Sequence, residues 1–401
     1  MNSKTMLKLI QNFYPGIIIL LLLVFKYISF TNFIFGYLTY CIYIYYTSKT
    51  KLSYVKTEFN NNLLNNCPSI KNPNYKPYYY LPFKFMQFIL ARYSIQTNFN
   101  EDIVLKEESV DGEGTNIIWA SYKNTENNHS NPVLFILPGI TGKTSDAYVK
   151  NIITTGLKNN YDVIIFQMRT LSDKMKMPKN NKYVNFCDDI NETLKKKKAI
   201  NNNKLYAIGY SYGANLLTTY LGTKNIETHY IEAGISICNP FDCFMNQRLG
   251  EDTLYEPVML HFEKKNYIPT ALALNKQKEN FIDINALRSS VFIREFDREF
   301  FGKILGYRKG DDYYRGISSY KYINDINIPY LVINSKDDPI CTSKNIPFDD
   351  IDDNKNIIFI LTDKGAHSCY VENEKNFSIS VKQWMVKPAI EFLNYLKNLK
   401  N

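Results

Sequence analysis

The 401-residue chain has no internal repeat, no cysteine pattern that reads as a zinc site or disulfide framework, and no basic patch gathered on one element. Its seven cysteines (Cys41, Cys67, Cys187, Cys238, Cys243, Cys341 and Cys369) are odd in number and irregularly spaced. Four residues separate Cys238 from Cys243, and no second Cys/His pair completes a metal site. They read as free thiols of a reducing compartment. The charge is net +9, from 48 Lys and Arg against 39 Asp and Glu. A nucleic-acid partner would need that excess concentrated. The densest run, Lys195 to Lys198, instead ends an expected helix, where cations offset the dipole. No nucleic-acid partner is expected, and no obligate protein partner is evident. Histidine is scarce, with four copies, which narrows any search for a general base.

Hydrophobic residues, at 45%, suffice for a full core. A chain of this length holds one large domain plus an appendage, or two ordinary domains. Tyrosine and phenylalanine, at 32 and 25 copies, are scattered without a motif, as an A+T-rich coding bias would leave them.

Near the N-terminus, residues 17–25 are nine consecutive apolar residues; Lys26 interrupts, and 28–46 follows with only Ser29, Thr31, Asn32 and Thr39 as polar members. A helix needs about 20 mostly apolar residues to cross a bilayer. The second run is long enough and the first alone is not. Tyrosines at 37, 40, 43, 45 and 46 suit the interfacial belt. No small-residue cleavage site follows a short apolar core, so residues 1–50 are expected to be a retained, single-pass membrane anchor. A re-entrant hairpin using both runs stays open. Lys4, Lys8 and Lys26 on one side balance Lys49, Lys51 and Lys56 on the other, which leaves the orientation and the identity of the membrane open.

Residues 51–110 are rich in Asn, Tyr and Pro and read as a linker with short helices. From there the pattern changes to short β-rich runs separated by helical stretches. Strands are expected at 117–121, 133–137, 162–166, 205–208, 234–237, 331–334 and 357–361. Such alternation indicates βαβ units in a mostly parallel sheet flanked by helices, an α/β fold over 111–401. The segment 239–325 is too long for a loop and reads as an inserted helical cap. Residues 381–399 read as a closing amphipathic helix.

Leu205-Tyr206-Ala207-Ile208-Gly209-Tyr210-Ser211-Tyr212-Gly213-Ala214-Asn215 places a Gly-x-Ser-x-Gly pentapeptide between an expected strand and an expected helix at 214–221. That is the setting of a nucleophile elbow. The tight turn leaves no room for side chains at 209 and 213, and it presents Ser211 at a helix N-terminus that favours a developing oxyanion. A serine nucleophile needs a base. His129 lies in an Asn-rich loop upstream of the first core strands, His229 just after the elbow helix, and His261 in the cap. Only His367 follows a late strand, and it completes the order Ser, acid, His. The acid should follow the preceding strand, where Asp337 and Asp338 are adjacent. Asp338, just before the Pro339 turn, is chosen; Asp337 is the alternative, and the carboxylate not used would cap the turn. The turn Pro138-Gly139-Ile140-Thr141-Gly142 follows another strand and is expected to aim the backbone N–H of Ile140, beside that of Tyr212, at an oxyanion. This chemistry needs no metal and no cofactor.

From Asp111 to the C-terminus the chain resembles the AB hydrolase 4 family of often membrane-anchored α/β-hydrolase esterases and lipases. The resemblance is carried by Asp111-Gly112 with Trp119, by the elbow through Asn215, and by Arg294-Glu295-Phe296-Asp297, Gly306-Tyr307, Asp312-Tyr313-Tyr314 and Ser318-Ser319 in the cap. Asn334, Asp337-Asp338-Pro339, Gly365-Ala366-His367 and Gln383-Trp384-Met385 extend it. Ala366 replaces a usual glycine; Pro138 stands where the family has histidine, and Phe166-Gln167-Met168-Arg169-Thr170 keeps the family's Arg but loses its Asn-His and the Gly after Arg, two departures expected to alter the pocket rim. The resemblance implies a lipid ester substrate, an acylglycerol or a phospholipid, drawn from a membrane. An acyltransferase that passes the acyl group to an alcohol, and a non-catalytic lipid-binding or scaffold protein, are the alternatives.

Overall fold

The computed structural model describes residues 29–84, 87, 90–91, 102–123, 130–177, 183–200, 203–223, 229–250, 253, 255–375 and 378–399. His129 and the first apolar run, 17–25, lie outside them.

The first described element is helix α1 (Phe30–Thr47), capped by Ser29, whose side chain accepts the Asn32 N–H. One side docks on the domain. Cys41 is fully buried, the Tyr37 hydroxyl donates to the Tyr80 carbonyl at 2.6 Å, and Tyr40 stacks on Phe83 at 5.4 Å. Other positions leave Phe30, Phe35, Tyr43 and Tyr46 between 60 and 73% exposed. Among the described residues no helix is long and apolar enough to cross a membrane. The spanning segment expected at 28–46 is thus not found among the described residues. Its threonines, asparagine and tyrosines dilute the hydropathy, and part of its surface is already spent on the domain.

Nine described strands form one sheet: β1 (Thr50–Tyr54), β2 (Ile103–Ser109), β3 (Asn116–Tyr122), β4 (Val133–Leu137), β5 (Asp162–Gln167), β6 (Leu205–Tyr210), β7 (Ala233–Ile237), β8 (Tyr330–Ser335) and β9 (Ile357–Thr362). Their order is β1-β9-β8-β7-β6-β4-β5-β3-β2. The six central strands, β4 to β9, are mutually parallel, while β1, β2 and β3 join antiparallel. All seven expected strands are present. The two edge strands were not anticipated. β1 pairs Thr50 with Thr362, and β2 follows three apolar residues with Lys-Glu-Glu-Ser and is mostly exposed, so neither carries the continuous apolar run that marks an inner strand. The stretch that composition suggested as linker thus contributes β2, most of β1 and two helices, α2 (Glu58–Asn66) and α3 (Pro68–Lys71).

Side chains alternate across the pleat, so each inner strand feeds two cores. Val133, Phe135 and Leu137 face one cluster with Ile357, Phe359 and Leu361; Leu134 and Ile136 face the other with Ile358 and Ile360. Helices α4 (Ala147–Lys158), α5 (Phe186–Ile200) and α6 (Tyr212–Thr223) follow β4, β5 and β6 in turn. Between β7 and β8 the chain leaves the sheet to build the cap: α7 (Cys243–Gly250), α8 (Glu256–Gln277), α9 (Ile284–Ser289), α10 (Ile293–Asp297) and α11 (Gly310–Ile317). The closing helix, α12 (Val386–Asn398), buries Phe392 and Leu393; residues 381–383, expected within it, form a short strand instead.

Candidate active site

The end of β6 carries the elbow. Ser211 adopts φ +53°, a left-handed conformation that costs a non-glycine residue energy and persists only where its surroundings impose it. Its N–H donates to the Ile237 carbonyl at 2.8 Å, and its own carbonyl accepts the Asn215 N–H of the following helix at 3.0 Å. The flanking glycines are steric necessities. A Cβ at Gly209 would sit 2.5 Å from the Gly213 carbonyl oxygen, and one at Gly213 would sit 2.1 Å from that of Leu137. Tyr212 is the first residue of α6, so its N–H has no partner within the helix and faces outward at the positive end of the dipole.

Histidine 367 arrives on the loop after β9, through a run of left-handed residues: Gly365 at +155°, Ala366 at +51° and Ser368 at +54°. Its Nε2 lies 2.9 Å from Ser211 Oγ, and its Nδ1 lies 2.9 Å from Asp338 Oδ2. Asp338 is buried, and its other oxygen accepts the N–H groups of Ile340 and Cys341, both at 2.8 Å. One residue thus both faces the imidazole and caps the turn. Asp337 points the other way: it accepts the Ala366 N–H at 2.9 Å and anchors the histidine loop. Burial pushes the Asp337 carboxyl up to about 6. The capping role expected of the unused carboxylate therefore falls to Asp338, and Asp337 serves the neighbouring loop.

The turn after β4 crosses beside the serine, where a Cβ at Gly139 would be 3.4 Å from Ser211 Cβ. The Gly142 N–H donates to the Gly139 carbonyl at 2.8 Å, the Gly139 N–H donates to the Tyr148 hydroxyl at 3.1 Å, and the Tyr267 hydroxyl donates to the Ile140 carbonyl. Two cavities open from this point. The larger, about 590 Å³, is lined by Ile140, Ser211, His367, Met259, Phe262 and Lys265 among others. The smaller, about 150 Å³, shares Ile140 and Ser211 and runs under the cap past Tyr212, Glu263, Asp297 and Tyr314.

The other histidines stand apart. His229 is buried against Asn327, and burial lowers its pKa; His261 sits in α8 beside Phe262. Neither they nor residues 166–170 line the two cavities, so the departure expected to reshape the rim does not do so. Arg169 is buried instead, bridging Asp189 of α5 and Asp111 at 2.8 Å each. Asp111 and Arg169 are a structural clasp. Cys238, Asp338 and His367 bring ligand atoms within 4.8 Å of one another, but a metal there would have to take the imidazole from its present partners.

Reasoning from sequence placed Asp297 only within a cap motif and missed Glu263; the structure buries both carboxyls in the cap beside the site. Asp297 accepts the Tyr314 hydroxyl at 2.7 Å, and burial holds its carboxyl near 7 and that of Glu263 well above the usual range. A helical position four residues before Tyr267 gave no local signal for Glu263.

A mostly parallel sheet with a serine elbow at a strand end, an acid and a histidine on later strand-end loops and a cap between β7 and β8 defines the alpha/beta hydrolase fold. Residues 132–374 match that family, and the chain belongs to it. Among individual proteins it is similar to a monoacylglycerol lipase of Saccharomyces cerevisiae, 29% identical over 278 residues, covering 65% of this chain and 59% of the yeast protein. It is also similar to a medium-chain fatty acid ethyl ester synthase/esterase 2 of the same yeast, at 26% identity over 67% of this chain and 63% of that protein. Phospholipase ABHD3 of Bos taurus is 26% identical, over 66% of this chain and 65% of the bovine protein. The matched part of the chain spans under two thirds of each of these relatives.

Proposed function

We propose that the protein is a serine hydrolase of the AB hydrolase 4 group that cleaves carboxylic esters of lipids through an acyl-Ser211 intermediate. The observation that carries this reading is the hydrogen-bond chain from Asp338 through His367 to Ser211, with both links at 2.9 Å. His367 takes the proton of Ser211 as the hydroxyl attacks the ester carbonyl, and Asp338 holds the imidazole tautomer and stabilises the imidazolium. The N–H groups of Ile140 and Tyr212 receive the oxyanion. His367 then protonates the departing alkoxide, so the alcohol portion belongs in the cavity that His367 lines, and the acyl group in the smaller one under the cap. Water, activated by His367, releases the acid.

The substrate class, an acylglycerol or a phospholipid, draws support from the relatives named monoacylglycerol lipase and phospholipase. Work at a membrane draws support from the exposed aromatic face of α1 and the apolar run 17–25 before it. A fluorophosphonate probe is expected to label the native protein and not Ser211→Ala, and lipid profiles of cells expressing the two should differ in one ester class. Labelling that persists in Ser211→Ala would overturn the assignment. Since one relative is named as a synthase as well as an esterase, products should also be examined with added alcohol. A new ester in place of the free acid would identify acyl transfer.

A further inference from the structure

Three hydrogen bonds converge on the backbone that carries Ile140. The peptide between Gly139 and Ile140 has its carbonyl tied to the Gly142 N–H at 2.8 Å, which turns its own N–H away from the turn. The preceding amide, of Gly139, is held by the Tyr148 hydroxyl from α4 at 3.1 Å. The following carbonyl, of Ile140, accepts the Tyr267 hydroxyl from α8 in the cap. Proline at 138 offers no N–H, so Gly139 is the first amide after β4 that such a hydroxyl can hold. Gly142 is part of the same device: a Cβ there would sit 2.4 Å from the Tyr148 hydroxyl and displace it.

We propose that Tyr267 and Tyr148 are positioning residues for catalysis, which clamp the Gly139–Ile140 peptide from the cap and from helix α4 so that its N–H stays aimed at the oxyanion. This rests on the reading of Ser211 as nucleophile and Ile140 as oxyanion donor. The physical reason is preorganisation: a donor fixed in advance needs no reorganisation as charge develops, whereas one free to rock loses part of its worth in the transition state alone. Tyr267 is built for the task. It is fully buried, stacked on Phe300 at 5.1 Å and edge-on to Phe301 at 5.0 Å, so its ring has one place to be and its hydroxyl one partner. The cap helix is independently tied to the body of the domain by Thr270, which donates to the Thr170 carbonyl at 2.9 Å. Removing the Tyr267 hydroxyl therefore frees the Ile140 carbonyl without undocking α8. The cap acquires a role beyond covering the cavity, because one of its side chains holds the catalytic backbone.

The test uses the full-length protein with Tyr267→Phe, Tyr148→Phe and the double variant, which keep both rings. On a soluble acyl ester, kcat should fall about tenfold in each single variant with KM within twofold, and further in the double variant. Affinity for a trifluoromethyl ketone, which binds Ser211 as an oxyanion, should fall by the same factor as kcat, while a non-reactive ether analogue of the substrate should bind unchanged. Melting temperature and the fraction of protein finally labelled by a fluorophosphonate serve as folding controls. Unchanged kcat, or a loss in kcat with no matching loss of ketone affinity, refutes the clamp. Loss of the labelled fraction shows a folding role and also refutes it. Failure of the underlying nucleophile reading is distinguished by labelling of the Ser211→Ala protein, which the tyrosine variants do not affect.

Discussion

At the scale of single residues, the adjacent carboxylates show how much one backbone step decides. Asp337 and Asp338 carry the same side chain, yet only Asp338, the buried one, reaches the imidazole, while the half-buried Asp337 holds the Ala366 amide behind it. Asp338→Asn should preserve the fold and lower kcat by about 10⁴, because the amide stabilises neither the needed tautomer nor the imidazolium. Asp337→Asn, which keeps an acceptor for Ala366, should cost less than about tenfold; steady-state kinetics on one soluble ester compares them. Equal losses would mean that the two carboxylates share the role. The sequence narrowed the acid to this pair through chain order and favoured Asp338 through the Pro339 turn, and the loops place Asp338 against His367; what no local pattern encodes is that Asp337 turns to the Ala366 amide.

Elements built on short-range rules were legible, and those built on long-range pairing were not. The elbow combines a β-rich run, two glycines and a helix start, each of which acts within a few residues. Its demand for Gly213 is steric, since Gly213 packs against the backbone of β4 and the Pro138 turn. Gly213→Ala should therefore destabilise by more than about 4 kcal/mol or prevent soluble expression, read by thermal melting beside the native protein. A melting temperature within a few degrees of native would show that β4 can retreat. Strand β1 is the contrary case: its polar, alternating sequence becomes a strand only because β9 offers it an edge more than 300 residues later. Helix α1 likewise shows no clear polar face in its sequence, and only docking through Tyr37, Tyr40 and Cys41 distinguishes its covered from its exposed positions.

Across the whole molecule the cap covers the sheet with a pair of buried carboxyls facing the smaller cavity. Asp297 and Glu263 sit side by side in the smaller cavity, where burial keeps Asp297 protonated in the fold up to about pH 7. In the unfolded chain an aspartate ionises near pH 4. The folded state thus binds the extra proton between those values, so this group's contribution to stability is complete at the acid end, declines as pH rises, and is lost above about pH 7. Melting curves of the native protein and Asp297→Asn from pH 5 to 8 should diverge, with the native protein losing stability relative to the variant as pH rises. Parallel curves would show that the carboxyl ionises normally. The Tyr314 hydroxyl that donates to Asp297 joins α11 to α10, so the divergence reports on the cap itself.

The seven inner strands with the helical stretches between them, the serine elbow, the late histidine and the acid pair were determined by the sequence alone, because each is written in contiguous residues whose spacing obeys backbone geometry. Tertiary structure alone decided that Asp337 holds the Ala366 amide, that Arg169 clasps Asp111 and Asp189 rather than lining a pocket, that β1 completes the sheet edge, and that Tyr148 and Tyr267 grip the same backbone turn. Each of these joins groups far apart along the chain, and such pairings exist only once the sheet and cap have brought them within hydrogen-bond reach.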